Sequence, residues 1–230
     1  MPAPLSIVIP TLNAQESLPD TLASLFEGVS AGILHQVIVS DAGSQDQTVQ
    51  LAEDAGCKVI CGQMGRGGQI AAGLRDIGTP WVLIVHADTT LPRGWSDFME
   101  ACFETPLTAY YFKLGFRSLA WQAHVVSRLA NLRAHLLGLP YGDQGLLMHR
   151  DLLKAVGGYP ELPLMEDVAM ARKLRGKLRH LPLTVKTGAE KYEQNGWFLQ
   201  SSSNLIRLIR YLSGTSSDVL AQSYLRAPKS

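Results

Sequence analysis

The 230-residue chain lacks several features that define large protein classes. It has only three cysteines, and this small, odd number argues against a disulfide framework. Its formal net charge is +1, so no overall field would attract nucleic acid. No apolar run approaches the roughly 20 residues that cross a bilayer, and the first residues lack the basic and apolar segments of a signal peptide. We therefore expect a cytoplasmic protein that does not bind nucleic acid.

Two of the cysteines, Cys57 and Cys61, lie close together in the sequence. No second Cys or His pair lies near enough to complete a zinc site with them. We interpret both as small core residues of a strand in a reducing compartment.

The first part of the chain alternates between apolar strand patterns and helical patterns. Hydrophobic residues make up 46% of the sequence, and its length suits one α/β domain. Continuous apolar strands between helices are typical of a mostly parallel sheet that helices flank on both faces. In the first helix, Leu18, Leu22, Leu25 and Phe26 form the apolar face, and Ser44 opens the second as part of a capping box. Strands are predicted at 5–10, 36–41, 57–60 and 81–85, and helices at 16–28, 43–56 and 65–78.

The second half is less regular and ends in helical patterns. The sequence predicts a strand at 108–116, a long amphipathic helix at 118–138, a late strand at 184–188 and helices from about 193 onward. The helix at 118–138 and the segment WFLQSSSNLIRLIRYL both carry apolar stripes. Such stripes favour packing on the domain or on a second subunit, and peripheral membrane contact is the alternative.

Polar residues follow the predicted parallel strands, and ligands bind at that edge of open α/β sheets. Asp41 can accept hydrogen bonds from a nucleobase or ribose. Arg66 lies in GRGGQ, whose glycines allow close backbone approach to a ligand and whose arginine can neutralise a phosphate. Asp88 suits Mg²⁺ or Mn²⁺, with His86 as a candidate second ligand that favours Mn²⁺. Taken alone, each of these polar segments is also consistent with a turn or a helix cap. Taken together, and with Asn13 after the first strand, they favour a ligand site.

Adjacent carboxylates occur in the second half, at Glu166 and Asp167. They fit either a charged first helical turn or a general base that takes a proton from an attacking hydroxyl. Asp143 and Gln144 lie in the glycine-flanked segment YGDQG, as a turn or as sugar and acceptor contacts.

The ordered series of these segments resembles family-two glycosyltransferases of the GT-A fold, a Rossmann-like α/β architecture. The matching segments are SIVIPTLNAQESLPDTLASL, VIVSDAGSQDQT, GRGGQIAAGL, LIVHADTTLP and YGDQGLLMHRDLLKAVGGYPELPLMED. The series is most similar to a small, soluble bacterial branch without membrane helices. This resemblance implies a nucleotide-diphosphate sugar donor, with UDP favoured, a divalent metal, and inversion at the anomeric carbon.

The resemblance also implies roles for individual residues. Asp167 matches the family's base, with Glu166 beside it, and His86 to Asp88 stands where the family has its Asp-x-Asp metal motif. His86 departs from that motif, and TGAEKY at 187–192 replaces a turn that usually carries two arginines. The implied nucleotide and donor residues are Pro10, Thr11, Asn13, Glu16, Asp41, Arg66, Ala87 and Asp88.

On this basis we predict a single GT-A domain over residues 1–230. About 1–95 form its nucleotide-binding half, about 96–192 its acceptor half and about 193–230 its C-terminal helices. The sequence does not identify the acceptor, and a lipid-linked acceptor, a homodimer and contact with the inner membrane face through the C-terminal helices stay open. Two other functions also stay open: a nucleotidyltransferase that makes sugar nucleotides, and a non-catalytic nucleotide-sugar-binding protein.

Overall fold

A computed structural model describes residues 2–62 and 64–226 of the chain. Seven strands form one sheet in the order β3-β2-β1-β4-β6-β5-β7. The strands are β1 Leu5–Thr11, β2 Leu34–Asp41, β3 Lys58–Cys61, β4 Trp81–Ile84, β5 Ala109–Phe116, β6 Leu146–His149 and β7 Leu178–Thr187. The helices are α1 Leu18–Ser30, α2 Thr48–Asp54, α3 Arg66–Arg75, α4 Trp95–Phe103, α5 Trp121–Leu137, α6 Arg150–Ala155, α7 Glu166–Lys173, α8 Glu190–Asn195, α9 Trp197–Leu212 and α10 Ser217–Arg226.

The first four strands run parallel, and β6 is antiparallel to both β4 and β5. All seven residues of β1 are buried, because helices cover both faces of the sheet. One core cluster includes Trp95 and Met99 with β1, and another includes Ile70 and Met170 with Val8. The predicted class, a mostly parallel sheet flanked by helices, is confirmed.

Several local predictions need correction. The second helix begins at Thr48, five residues later than expected, because the Ser44 hydroxyl donates to a carboxylate and does not cap the helix. Phe26, assigned to a buried face, is 68% exposed, and Cys61, assigned to the core, is also exposed. Helix α4 was not predicted at all, although Trp95 is its fully buried anchor.

The elements of the second half also differ from their predicted bounds. Strand β7 spans ten residues and begins well before the expected 184–188, because it pairs in parallel with most of β5. The predicted helical C-terminal segment contains α8, α9 and α10, and its residues 227–230 lie outside the described part of the chain. Within the described residues, no helix combines the length and the apolar character needed to cross a membrane.

Candidate active site

The loops after β1 and β2 are joined by hydrogen bonds to Asp41. Thr11 lies opposite Asp41 in the parallel register and donates a 2.8 Å hydrogen bond to its carboxylate. The N–H groups of Gly43 and Ser44 donate to the other oxygen at 2.8 and 2.7 Å. Burial alone would raise the pKa of Asp41, but hydrogen bonds from Ser44, Thr11 and Gly43 outweigh it and lower the pKa. Asp41 is therefore a buried anion that organises this corner of the sheet.

Asn13 links the same two loops. Its side-chain oxygen accepts a 2.8 Å hydrogen bond from the N–H of Gln45, and its own N–H donates to the Ser44 hydroxyl at 2.7 Å. Asn13 has a φ of 50°, and Met165, directly before Glu166, has a φ of 62°. Among the described residues these two are the non-glycine residues with positive φ. Backbone strain of this kind clusters at functional sites, and here it occurs in two candidate site segments.

Arg66 is the first residue of α3 and lies beside the start of α7. The N–H of Gly67 donates a 3.1 Å hydrogen bond to the Leu162 carbonyl. A Cβ on Gly67 would lie 2.4 Å from the carbonyl oxygen of Pro160. The sequence suggested that the glycines of this loop allow close approach of a ligand. At Gly67 the group that approaches closely is instead another backbone segment of the protein. This approach positions the Arg66 guanidinium 3.4 Å from a carboxylate oxygen of Glu166.

Glu166 and Asp167 are adjacent in α7 but have different surroundings. Glu166 is 1% exposed, and its Oε2 is buried without a hydrogen-bond partner among the described residues. Burial, followed by the charge of Asp167, raises the pKa of Glu166 to about 7, while Arg66 opposes the increase. Asp167 is only half-buried, and the N–H groups of Gly142 and Val168 donate to its two oxygens at 2.9 and 2.7 Å. Asp167 is therefore the accessible, oriented carboxylate of the pair.

The segment from His86 to Asp88 forms a tight turn after β4. The Thr21 hydroxyl of α1 donates a 2.8 Å hydrogen bond to the Ala87 carbonyl. The N–H of Gly188 donates to the Asp88 carbonyl at 3.2 Å. Helix α1 and the segment after β7 thus fix this turn from two sides, and the TGAEKY segment lies directly beside Asp88.

His86 is neutral and packs against the loop before β6. A Cβ on Gly142 would lie 2.3 Å from its Nε2, so only glycine leaves room for the ring. That Nε2 atom is buried without a hydrogen-bond partner in the described part of the chain. Burial, together with the charges of Arg66 and Lys191, lowers the pKa of His86 well below its usual value.

Asp143 belongs to the same cluster of charges. Its Oδ1 is buried and, within residues 2–62 and 64–226, has no hydrogen-bond partner. Burial raises the pKa of Asp143 to about 6; the Arg133 charge opposes this shift, and the charges of Asp167 and Asp88 add to it. Several carboxylates therefore lie close enough to influence one another's protonation.

Two residues that were not predicted from the sequence to belong to the site, Arg207 of α9 and Tyr224 of α10, lie beside the cleft. The Lys191 ammonium donates a 3.3 Å hydrogen bond to the Tyr224 hydroxyl, and the Arg207 guanidinium lies 4.9 Å from the centre of the Tyr224 ring. Burial would raise the pKa of Tyr224, but the charges of Lys191, Arg66 and Arg207 lower it. In the described chain neither Lys191 nor Arg207 forms an ion pair with a carboxylate. These cations are available to an anionic ligand.

A small cavity adjoins the candidate base. It has a volume of about 20 Å³, enough for one water molecule. Its lining combines the polar side chains of His86, Tyr141, Tyr159 and Asp167 with apolar residues such as Ile84.

The donor atoms at Asp88 fit a hard cation that takes few protein ligands. Within the described residues, no group of three or more His, Cys, Asp or Glu side chains is arranged to hold a metal ion. Asp88 supplies a half-buried carboxylate, and the neutral His86 directs its Nε2 toward Gly142. Mg²⁺ characteristically binds through one or two carboxylates with phosphate oxygens and water, and this donor set fits that mode.

Most of the predicted site residues lie along one edge of the sheet. Gln144 does not reach the cleft, because it is 0% exposed and its amide donates to the Phe112 carbonyl at 3.0 Å. Glu16 is exposed on the loop between β1 and α1, and Pro10 is buried in β1. The structure groups the remaining predicted residues at this edge: Thr11, Asn13, Asp41, Arg66, His86, Ala87, Asp88, Asp143, Glu166 and Asp167.

Comparison with known proteins relates the first half of the chain to a family. Residues 6–117 match the family described as "Glycosyl transferase family 2". These residues are just under half of the chain, and this part is similar to family 2 glycosyltransferases.

Two curated relatives match part of the chain. An uncharacterized glycosyltransferase of Mycobacterium tuberculosis is 32% identical over 91 residues, which are 39% of this chain and 39% of the relative. The glycosyltransferase AglJ of Haloferax volcanii is 35% identical over 94 residues, which are 39% of this chain and 30% of AglJ. The matched region is thus well under half of either relative.

Solved structures share the GT-A fold across most of the chain. Staphylococcus aureus TarS (residues 1–349) superposes with a TM-score of 0.59 at 17% identity, covering 96% of this chain and 70% of TarS. Glucosyl-3-phosphoglycerate synthase of M. tuberculosis, with Mg²⁺ and UDP, superposes with a TM-score of 0.57 at 17% identity, covering 80% and 69% of the two chains. At this identity the comparison establishes the fold alone.

Proposed function

We propose that this protein transfers a sugar from a nucleotide-diphosphate donor to an acceptor hydroxyl, with inversion at the anomeric carbon. One observation carries the proposal. Gly142 donates to the candidate base Asp167 and also packs against His86, two residues before Asp88. A carboxylate suited to proton abstraction and one suited to a diphosphate-bound cation therefore share one cleft.

On the donor side, the loops after β1 and β2 would hold the nucleoside. The network of Thr11, Asn13 and Ser44 around Asp41 keeps that pocket rigid before a ligand arrives, and Asp41 is proposed to face the base. Pro10, Glu16 and Ala87 are proposed to line the same pocket. Structures of TarS and of the mycobacterial synthase are described with UDP, and this supports a uridine donor.

On the phosphate side, this chain offers cations from three elements. Arg66 of α3, Lys191 of α8 and Arg207 of α9 lie around Tyr224. They would offset the negative charge that develops on the departing nucleotide diphosphate. A divalent cation at Asp88, when bound, would supply the same stabilisation as a Lewis acid; the synthase structures are described with Mg²⁺ or Mn²⁺.

On the acceptor side, Asp167 is the proposed base. The N–H groups of Gly142 and Val168 fix the carboxylate while leaving it half-exposed. It would take the proton of the acceptor hydroxyl as that oxygen attacks the sugar from the face opposite the leaving diphosphate. The buried Glu166 is better suited to positioning Arg66, and Asp143 is a proposed sugar or acceptor contact.

Two alternatives differ in their products. A nucleotidyltransferase would release pyrophosphate from a sugar phosphate and a nucleoside triphosphate. A non-catalytic binding protein would bind the donor without consuming it, and the departure of His86 from the metal motif is the feature that favours this alternative.

We also propose that residues 1–230 form one domain with the predicted donor, acceptor and C-terminal parts, and that this domain acts in the cytoplasm.

A donor screen tests the proposal. The full chain is heated with individual nucleotide sugars, with and without Mn²⁺, because a bound ligand raises the melting temperature. Donors that stabilise the chain are then incubated with it, and release of the nucleoside diphosphate and the anomeric configuration of the product are followed by NMR. Release with an inverted product supports transfer. Pyrophosphate release from a sugar phosphate and nucleoside triphosphate, or stabilisation without turnover, would replace the proposal by one of the alternatives.

A further inference from the structure

Helix α9 exposes a large apolar side to solvent. Its packing side is mixed: Trp197 and Leu208 are buried, Asn204 donates to the Tyr192 hydroxyl at 3.1 Å, and Arg207 contacts the Tyr224 ring. On its outward side, about half or more of each side chain is exposed at Phe198, Leu199, Leu205, Ile206 and Ile209. A helix that packs only on its own domain would present polar side chains there.

Helix α5 also exposes its large apolar side chains. Its small side chains Ala123 and Ala134 are buried against the domain together with Val126. The larger apolar side chains point outward, at 64% exposure for Trp121, 60% for Leu129, 52% for Leu132 and 67% for Leu136. Their spacing places them on one stripe of the helix.

The two stripes form one surface. Helices α5 and α9 pack against each other, and the rings of Trp121 and Phe198 lie 5.9 Å apart. We call this surface the α5–α9 apolar face; it consists of Trp121, Leu129, Leu132, Leu136, Phe198, Leu205, Ile206 and Ile209. Contiguous apolar surface of this kind marks an interaction site.

The charged side chains of helices α5 and α9 all have one sign. Neither α5 nor α9 contains an Asp or Glu, and the two helices together carry four arginines. Arg128 and Arg210 are exposed alongside the apolar stripes. A second copy of the chain docked on this face would bring arginines together without acids from these helices to neutralise them. A surface of anionic lipid supplies both an apolar interior and negative headgroups.

We propose that the α5–α9 apolar face docks on the surface of a bilayer that contains anionic lipids. The two helices lie along the interface, the apolar stripes enter the boundary between headgroups and acyl chains, and Arg128 and Arg210 contact lipid phosphates. Trp121, at the end of α5, takes the interfacial position that tryptophan favours.

Docking and the candidate active site use opposite sides of α9. Arg207 points from α9 toward Tyr224 and the cleft, while Ile206 and Ile209 point outward. The proposal therefore does not depend on the proposed function, and membrane binding can be measured without a sugar donor.

Tryptophan fluorescence tests the proposal directly. Three of the four tryptophans are buried, with exposures of 3% for Trp81, 0% for Trp95 and 8% for Trp197, so Trp121 reports on the face. Vesicles of two parts phosphatidylcholine and one part phosphatidylglycerol should shift its emission to shorter wavelength and should carry the protein to the pellet on centrifugation. Pure phosphatidylcholine should do so weakly. The Trp121→Phe variant should pellet with the mixed vesicles and lack the shift.

Matched variants distinguish binding through the α5–α9 apolar face from nonspecific adsorption to vesicles. Ile206→Glu should weaken pelleting at least about tenfold, because it removes buried apolar area and adds a repelled charge. Leu107→Glu alters another side chain of comparable exposure, 70%, outside the face and should pellet like the wild type. Arg210→Gln should weaken binding about fivefold and reduce its salt dependence. All four variants change exposed side chains, and circular dichroism verifies that they fold.

Three outcomes would overturn the proposal. The wild type could fail to bind the mixed vesicles. Leu107→Glu could weaken binding as much as Ile206→Glu, which would show that the α5–α9 apolar face has no special role. Sedimentation equilibrium could also show that the wild type is a dimer, that this dimer does not bind vesicles and that Ile206→Glu dissociates it. This result would assign the face to a second copy of the chain.

Discussion

The Asp167 carboxylate accepts a 2.9 Å hydrogen bond from the backbone N–H of Gly142, and this bond joins α7 to the loop before β6. Because the donor is backbone, the carboxylate stays oriented whichever side chains surround it. The bond gives α7 a fixed position relative to His86 and Asp88 across the cleft, since His86 packs on the same glycine.

Replacing Asp167 by Asn should abolish transfer while leaving nucleotide binding intact. The amide can still accept the bond from Gly142, but it cannot take a proton, so transfer should fall roughly 10²–10⁴-fold. Initial rates give the loss, and calorimetric titration with UDP should give a Kd close to that of the wild type. Asp151→Asn, at an exposed carboxylate of α6, is the matched control. Loss of UDP binding with unchanged residual transfer would contradict the assignment of Asp167 as the base.

Replacing Asp88 by Ala should remove the effect of a divalent cation on nucleotide binding. The substitution deletes the carboxylate that we assign to the cation, while the turn itself is held through backbone atoms, by Thr21 at Ala87 and by Gly188 at Asp88. Calorimetry with UDP, with and without Mn²⁺, should show a metal-enhanced affinity for the wild type and one affinity for the variant. An equal metal effect in both proteins would place the cation elsewhere.

The parallel half of the sheet was predictable because each element there is specified locally. Buried parallel strands are apolar throughout, and a helix must connect them, so strand–helix alternation leaves few topologies. The same rule placed Asp41, Arg66 and Asp88 at one edge, since the ends of parallel strands meet there. The sequence could not show that Asp41 would be surrounded by donors from its own chain, because those contacts depend on how two loops fold together.

The rest of the chain was less predictable because its site residues depend on contacts distant in sequence. Tyr224 reaches Lys191 only because α10 returns across α8 and α9, and no local pattern near Tyr224 signals this. Gln144 lies one residue from Asp143, yet one is completely buried and the other faces the charged cluster. Spacing alone cannot distinguish such neighbours.

Replacing Lys191 by Met should weaken binding of nucleoside diphosphates selectively. Lys191 contacts the Tyr224 hydroxyl and pairs with no carboxylate among the described residues, so its charge is available to a phosphate. We expect a Kd for UDP roughly tenfold higher, with uridine binding unchanged. Lys177→Met, outside this cluster, is the control. A parallel loss of uridine affinity would indicate a distorted pocket and would argue against a phosphate contact.

Replacing Glu166 by Gln should change how stability depends on pH. The folded chain keeps the Glu166 proton up to about pH 7, whereas the unfolded chain loses it near the ordinary pKa of 4.5. The glutamate therefore stabilises the fold fully below that ordinary value, and its contribution falls as pH rises toward 7.

Melting temperatures of the wild type and Glu166→Gln measure this directly. The wild type should lose stability relative to the variant between about pH 4.5 and 7, by on the order of 2 kcal/mol or about 4–8 °C. Titrating groups that do not interact with Glu166 cancel in the difference. Glu161→Gln, at an exposed glutamate paired with Arg75, should show no such trend. A constant difference across this range would mean that Glu166 is ionised in the fold at acidic pH.

Two neighbouring glycines of α3 should respond in opposite ways to alanine. A Cβ on Gly67 would lie within 2.6 Å of three backbone atoms of Pro160 and Leu162, whereas a Cβ on Gly68 would meet nothing within 4 Å. Gly67→Ala should therefore cost about 1–3 kcal/mol, since backbone cannot move aside as a flexible side chain does. Gly68→Ala should be neutral or stabilise by up to about 1 kcal/mol through reduced freedom of the unfolded chain.

The same pair tests whether the contact at Gly67 positions α7, the helix that carries the proposed base. Moving the segment at Pro160 and Leu162 away from α3 would also move Glu166 and Asp167, which follow it, away from Arg66. Gly67→Ala should thus lower transfer at temperatures where circular dichroism still shows a folded chain, and Gly68→Ala should retain wild-type rates. If Gly67→Ala instead kept full activity while folded, the approach of these two backbones would serve stability alone, and the position of Asp167 would depend on its bond to Gly142.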